Sequence, residues 1–487
     1  MSISQTLANA NSGLVAVARR ASVTSNNIAN ALTPGYSRRD VALAEQTIAG
    51  TGAGVRVAGV SRATAPAVTA ERRIADASLA NNAARAEAAA RLSGLIGGPE
   101  DAGGLVARYA AFETALRALA DSPQSGAAQL HAAAAARELA TTFNRIADQQ
   151  QAIRQGADAE IARGVASANA ALAEIDALNL SIVKGRASGA DVAALEDQRQ
   201  KLIDGVNEFI PVRELARGDG ALDLITSEGV YVIAGSAGPI EFAAAGLMTA
   251  QAAYDGGAGS LSGLMIGDVD VTPRGPGAQQ VKSGAAAGLF AVRDEIVPQA
   301  SRQLDALAAD LINRFSDPSV DPTLAAGAPG LFTDAGGSLN AAPGLAGRLS
   351  LNALVDPSAG GDAAKLRDGL GSTAPGPAGD DTLIRNLIGA FTASATQPAA
   401  LGAARDLNPA EAAAFIASTA AVARADAEAA QSFAAAFAQG LSEAELLQTG
   451  VDTDRELQNL LIIEQAYAAN ARVIEAVSEM MDALMRI

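Results

Sequence analysis

The sequence predicts a mainly α protein with an inserted small β domain and a helical middle domain. Its terminal N- and C-helices are predicted to pair as a coiled coil. Three observations carry this. Alanine, the best helix former, is very abundant across the 487 residues. Both ends of the chain repeat apolar residues by threes and fours, as a heptad seam does. Residues 210–285 change character, with more glycine and short apolar–polar alternations. At about 150 residues per domain the length fits about three domains. A chain of this size can bury several cores without disulfides.

Residues 1–32 read as one helix. Its seam runs Ile3, Leu7, Ala10, Leu14, Val17, Ala21, Thr24 and Ile28. Several of these are small or polar, so the seam is weak. Thr33-Pro34-Gly35 stops the helix, because proline disfavours helical backbone before it and Pro-Gly suits a type II turn. Residues 41–70 look extended and irregular, with strand-like alternation over 55–60. These segments form the expected terminal unit, 1–60.

The helical domain's first part is expected over 61–209. Helical period returns over 66–120, with an interruption near Gly97-Gly98-Pro99. A long helix over 125–185 is marked by Leu130, Phe143, Ile146, Ile153, Ile161, Leu172, Ile175 and Leu178. A shorter one runs from Asp191 to Phe209. Residues 210–285 read as the inserted β domain, with strands at 222–226 and 230–233. The helical domain resumes over 286–445: a helix at 286–315, a Gly/Pro/Asp-rich loop at 316–380, then helix to 445. The last unit, 446–487, carries a second weak seam: Leu460, Ile463, Tyr467, Asn470, Ile474, Val477, Met481 and Leu484.

Charge supports pairing of the two ends. Residues 1–40 hold four arginines against Asp40, a net of +3; residues 451–487 hold three arginines against seven acids, a net of −4. Opposite charge favours the mixed pair over like pairs.

Composition excludes much else. With no cysteine there is no disulfide, cysteine zinc site or thiol catalysis. A net charge of −17 makes nucleic acid and acidic membranes poor partners. Aromatics at 3% and no tryptophan argue against stacking platforms for bases or sugars. No apolar run reaches the length of a membrane span, and the N-terminus does not read as a secretory signal peptide.

Two motifs at opposite ends carry a family resemblance. The segment Asn26-Asn27-Ile28-Ala29-Asn30-Ala31-Leu32-Thr33-Pro34-Gly35-Tyr36-Ser37-Arg38, with upstream Asn11-Ser12-Gly13-Leu14, resembles the N-terminal signature of flagellar rod, hook and hook-associated proteins. Gly450 to Leu460, including Leu457, and Gln465-Ala466-Tyr467-Ala468-Ala469-Asn470 through Ile474 resemble the matching C-terminal signature. Gly35-Tyr36-Ser37-Arg38 is similar to the hook-associated branch, where rod and hook proteins typically read Gly-Phe-Lys. Asp197-Gln198-Arg199 and the stretch from Ser283-Gly284 to Arg293-Asp294 are similar to internal segments of that branch. The resemblance covers about 90 terminal residues strongly and another 100 or so loosely.

The resemblance implies a structural subunit, not an enzyme. It implies export by the flagellar type III apparatus and assembly outside the cell as a ring of copies at the hook tip, joining hook to filament. The implied partners are other copies of the chain, hook protein, a second hook-associated junction protein, and a cytoplasmic export chaperone on the C-terminal helix. No cofactor is implied. Weak seams of this kind are expected to fold only against neighbours. The residues expected to carry subunit assembly are Leu14, Asn26, Asn27, Ile28, Asn30, Pro34, Gly35, Tyr36, Leu457, Leu460, Gln465, Tyr467, Asn470 and Ile474. The asparagines are poor mid-helix residues, which points to specified polar contacts between subunits. Rival readings are a hook or distal-rod subunit, a flagellum-associated wall hydrolase, and a cytoplasmic helical scaffold. Flagellin is disfavoured because its terminal patterns are missing.

Elsewhere the bland readings win. His131 is alone, so no triad or metal site forms around it. The string Gly256-Gly257-Ala258-Gly259 lacks the lysine of a phosphate loop and reads as a turn. Asp317, Asp321 and Asp334 do not have calcium-loop spacing and read as solvated loop acids.

Overall fold

The computed structural model describes residues 3–48, 51–98, 100–256, 259–396, 399–401 and 405–486. Pro99, Gly257 and Ala258, which the sequence reading uses, lie outside them. In chain order the elements begin with α1 (Ile3–Ala29), β1 (Arg39–Ile48), β2 (Thr51–Arg62), α2 (Pro66–Ile96), α3 (Leu105–Asp121), α4 (Gly126–Ala187) and α5 (Ala193–Phe209). Short strands follow: β3 (Val212–Ala216), β4 (Leu222–Thr226), β5 (Tyr231–Ile233), β6 (Ile240–Glu241), β7 (Met265–Ile266) and β8 (Val269–Asp270). Then come α6 (Gly284–Ala291), a π-helical stretch Val292–Ile296, α7 (Val297–Phe315), β9 (Phe332–Asp334), β10 (Leu349–Leu351), α8 (Lys365–Asp368) and α9 (Thr382–Thr392). The chain ends with β11 (Ala395–Thr396), β12 (Asp406–Leu407), α10 (Pro409–Thr449) and α11 (Thr453–Met485).

The chain divides into two compact units. One comprises Met1–Leu79, Ala166–Ile240 and Ala434–Ile487; the other comprises Ala80–Val165 and Glu241–Phe433. These limits differ from the sequence-derived domains, because they fall inside α2, α4 and α10. Helical periodicity is continuous along such helices and gives no sign of where the packing partners change.

In the first unit, residues 39–62 form a long antiparallel hairpin with Arg39 opposite Arg62 and Val41 opposite Val60. The sequence reads most of this stretch as irregular. Two register shifts, after Ala42 and after Glu45, break the alternation that would reveal a strand. The hairpin is fixed to α1 by Ser12, whose hydroxyl accepts the Val55 N–H at 3.1 Å. Strands β3, β4 and β5 form a three-stranded sheet in that order. Asn179 on α4 grips it, donating to the Leu222 carbonyl at 2.9 Å and accepting the Leu222 N–H at 3.1 Å. An ionic knot ties α2 to α5, β3 and α10. Arg72 reaches Asp76 at 2.6 Å and Asp204 at 2.9 Å, and also Glu445. Arg73 reaches Asp204 at 2.7 Å, and also Glu214.

The second unit is built around an aromatic cluster. Tyr109, Phe112, Phe143, Phe315, Phe332 and Phe391 are all fully or almost fully buried. Phe112 meets Phe391 edge-on at 5.2 Å and Phe332 at 5.7 Å, the geometry the ring quadrupoles favour. A second anchor is Arg293, in the π-helical stretch and 0% exposed. It donates to Asp158 at 2.9 Å, to the Ser262 carbonyl at 3.0 Å and to Asp294, and lies 4.5 Å from the Phe290 ring centre. Arg154 beside it donates to the carbonyls of Arg293, Ala252 and Thr249.

These anchors explain three departures from the sequence reading. The stretch 210–285 divides between the two units at Ile240 and Glu241. Its strands up to 233 are held by Asn179 and Asn207 in the first unit. Residues from 241 onward wrap Arg154 and Arg293 in the second. The stretch 316–380 is dominated by loops, yet much of it is buried. Leu331, Phe332, Leu345, Leu349, Leu351, Val355, Leu366 and Leu370 join the main core at intervals that follow neither helix nor strand period. Asp321 and Asp334 are correspondingly buried: Asp321 accepts the Leu370 N–H at 2.9 Å, and Asp334 pairs with Arg348 at 2.7 Å. Finally, the helix expected from 381 to 445 is interrupted between α9 and α10, where β11 pairs with β12. α10 restarts in a capping box: Asn408 Oδ1 accepts the Glu411 N–H and Glu411 returns the bond to the Asn408 N–H, both at 2.9 Å.

Candidate assembly site: the paired terminal helices

Within the first unit both α11 and the β1–β2 hairpin pack on α1. Two partners widen the buried face of α1 beyond a single seam. Ala10, Ala16, Val17, Val23, Thr24 and Asn27 are buried, Leu14, Ala21 and Ile28 are half-buried, and Leu7 is 39% exposed. On α11 the inner stripe is Glu456, Ile463 and Val477, with Asn470 and Ile474 half-buried. Asp452 caps the start of α11, accepting the N–H groups of Asp454 and Arg455.

Two contacts set the pair. Near the middle, Asn470 rests on Gly13, where a Cβ would come within 2.7 Å of its Oδ1. Only glycine lets the asparagine approach this closely. At the end of α1, Asn27 is 1% exposed and Glu456 2% exposed, and the Asn27 amide donates to Glu456 Oε1 at 3.2 Å. The Tyr36 hydroxyl donates to Asn27 Oδ1 at 2.8 Å. Tyr36 arrives there through a tight turn in which its N–H donates to the Thr33 carbonyl at 3.1 Å, with Gly35 at φ +74°. That is the left-handed conformation the Pro-Gly pair demands of a type II turn. The Arg39 guanidinium lies 4.9 Å from the Tyr36 ring centre and donates to Asp197 at 3.1 Å; Arg62 shares that carboxylate at 2.6 Å. Burial pushes the Tyr36 phenol above its ordinary pKa; nearby Arg39 opposes this, while Asp197 and Glu456 add to it.

The expected assembly residues therefore separate. Asn27, Tyr36, Asn470 and Ile474 meet between the termini, with Leu14 and Ile28 beside them. Asn27 is not an exposed subunit contact, because its amide is bonded inside the chain. Asn30 is half-buried and closes the end of α1, donating to the Asn26 carbonyl and accepting from Thr33. Asn26, Pro34 and Gly35 are exposed. Leu457, Leu460, Gln465 and Tyr467 face outward; Leu457 is 50% and Tyr467 54% exposed. Sequence reasoning missed Glu456, Gly13, Arg39 and Arg62. Glu456 carries one available signal: it falls seven residues before Ile463 and so lies on the inner stripe. His131 is exposed, and among the described residues no group of acids and histidine is placed to hold a metal. No described helix is long and apolar enough to cross a membrane.

Residues 89–321 match the family model for the flagellar hook-associated protein FlgK helical domain. Residues 445–487 match that for the flagellar basal body rod FlgEFG protein C-terminal region. Flagellar hook-associated protein 1 of Bacillus subtilis (strain 168) is 24% identical over 490 residues, spanning 95% of this chain and 94% of its own. Over these stretches the chain resembles the flagellar hook-associated proteins. A solved flagellar hook junction protein FlgK from Burkholderia pseudomallei covers 54% of this chain and 46% of its own, at 20% identity and a TM-score of 0.42. The rod-type match holds Glu456 and Asn470, and the helical-domain match holds Asp197, Asp158 and Arg293. The proteins it resembles are structural flagellar components, not enzymes.

Proposed function

We propose that the chain is a structural subunit at the junction between hook and filament, exported by the flagellar type III system and assembled outside the cell as a ring of copies at the hook tip. One observation carries the reading. The terminal helices cover each other along one stripe, yet α11 keeps Leu457, Leu461, Ile462 and Tyr467 at least half exposed. Exposed apolar side chains such as these favour burial, at about 25 cal/mol per Å². Neighbouring copies supply that cover in a ring. The inner stripe is thus already closed within one chain, and only the outer face depends on neighbours. Hook protein below, a second hook-associated protein above, and an export chaperone on α11 before assembly complete the expected partners.

Labelled purified protein added to isolated hook–basal bodies and imaged by electron microscopy tests this. A finite cap of density at the distal hook tip is the expected result. Long tubes would make the chain a hook-type subunit, and absence of tip binding would sink the junction reading.

A further inference from the structure

The amide of Asn27 uses every bonding position it has. Its oxygen accepts from the Tyr36 hydroxyl at 2.8 Å and the Arg39 N–H at 3.0 Å; its nitrogen donates to the Arg39 carbonyl at 2.9 Å and to Glu456 Oε1 at 3.2 Å. An amide has two donors and two acceptor lone pairs, so nothing is left over. The bonding also fixes its orientation. Reversed, its oxygen would face a carbonyl and a carboxylate, and its NH₂ would face the Arg39 N–H. Both groups that orient the oxygen come from the segment after α1: the turn ending at Tyr36 and the first residue of β1. Asp197 holds Arg39 and Arg62, fixing the guanidinium over the Tyr36 ring.

Glu456 is the group this amide receives. In the first turns of α11 the buried residue is this carboxylate, while Leu457 and Leu461 stay out. Apolar burial alone would choose the leucines. A carboxylate goes inside only where donors meet it. The polar pair therefore decides which face of the first turns meets α1.

We propose that the Thr33-Pro34-Gly35-Tyr36 turn is a positioning device for the C-terminal helix. Closure of the turn orients Asn27 through Tyr36, and the oriented amide admits Glu456, so α11 seats in register on α1 only once the turn has formed. Tyr36 acts through Asn27 and has no need to touch another subunit. The device operates in the single chain whether or not that chain joins hook to filament.

Hydrogen exchange of the full-length chain, read over 456–477 against the core helix 105–121, tests it. Tyr36→Phe keeps the ring and removes one buried donor; exchange over 456–477 should quicken about tenfold with 105–121 unchanged. Asn27→Asp sets a carboxylate against Glu456 and should abolish the protection of 456–477. Adding Glu456→Gln to that variant restores a donor facing an acceptor, while the Arg39 carbonyl still meets an oxygen, so part of the lost protection should return. A helix held by general packing would show no such recovery. Unchanged exchange in Tyr36→Phe, no gain from adding Glu456→Gln, or an unaltered chain with no protection over 456–477 would each overturn the proposal.

Discussion

Arg293 concentrates more of the second unit's order than any other charged side chain described above. Its guanidinium is wholly buried, bonded to Asp158, Asp294 and the Ser262 carbonyl, and stacked near Phe290. Arg293→Ala removes the cation and leaves Asp158, itself 1% exposed, without its ion partner. Breaking a buried pair in this way costs about 3–5 kcal/mol. Urea unfolding followed by far-UV circular dichroism should show that loss. Asp158→Asn should cost less, because the amide oxygen still accepts from Arg293, although its NH₂ then meets the Ala245 N–H that the second carboxylate oxygen had accepted. The sequence marks Arg293 only by resemblance; neither its burial nor its partners, 135 residues away in the case of Asp158, can be read from spacing.

Among the elements, residues 316–381 show how a glycine- and proline-rich stretch becomes part of a core. Buried leucines anchor it, and short acidic side chains brace its turns. The Arg367 side chain holds Asp368 below the usual carboxylate range, and Arg385 does the same for Asp381. The Ser319 N–H lowers Asp317, and the Thr382 side chain lowers Asp380. A carboxyl lowered in the folded state stabilises it above its unfolded pKa of about 4. That stability is lost as pH falls through the folded value. Burial pushes Asp305 the other way, so its share grows on acidification. With the lowered carboxyls more numerous here, the segment should loosen below about pH 4 before the aromatic core does. Hydrogen exchange between pH 6 and pH 3 checks the order; simultaneous loss of segment and core would contradict it. The helices were largely legible because their period is strong, but this segment was not, since its core residues follow no period.

For the whole molecule, the termini and the middle serve different ends. The aromatic core draws on residues from 96 to 417 and takes nothing from α1 or α11. Deleting residues 451–487 should therefore leave that core folded while abolishing assembly on hook tips. A thermal melt of the truncated chain, followed by electron microscopy with hook–basal bodies, reads both. Loss of the cooperative melt would show that α11 supports the core, and undiminished tip binding would show that assembly does not need it.

By itself the sequence determined that both ends are helices with weak seams and opposite charge, that a Pro-Gly turn follows the first, and that the chain resembles flagellar axial proteins. These are local features, set by periodicity and backbone chemistry within a few turns. Only the tertiary structure decided that Asn27 faces inward to Glu456, that Gly13 admits Asn470, and that residues 210–285 are shared between two units. Each depends on residues tens to hundreds of positions apart. A buried polar group is tolerated only where such distant partners converge, and convergence is a property of the folded chain.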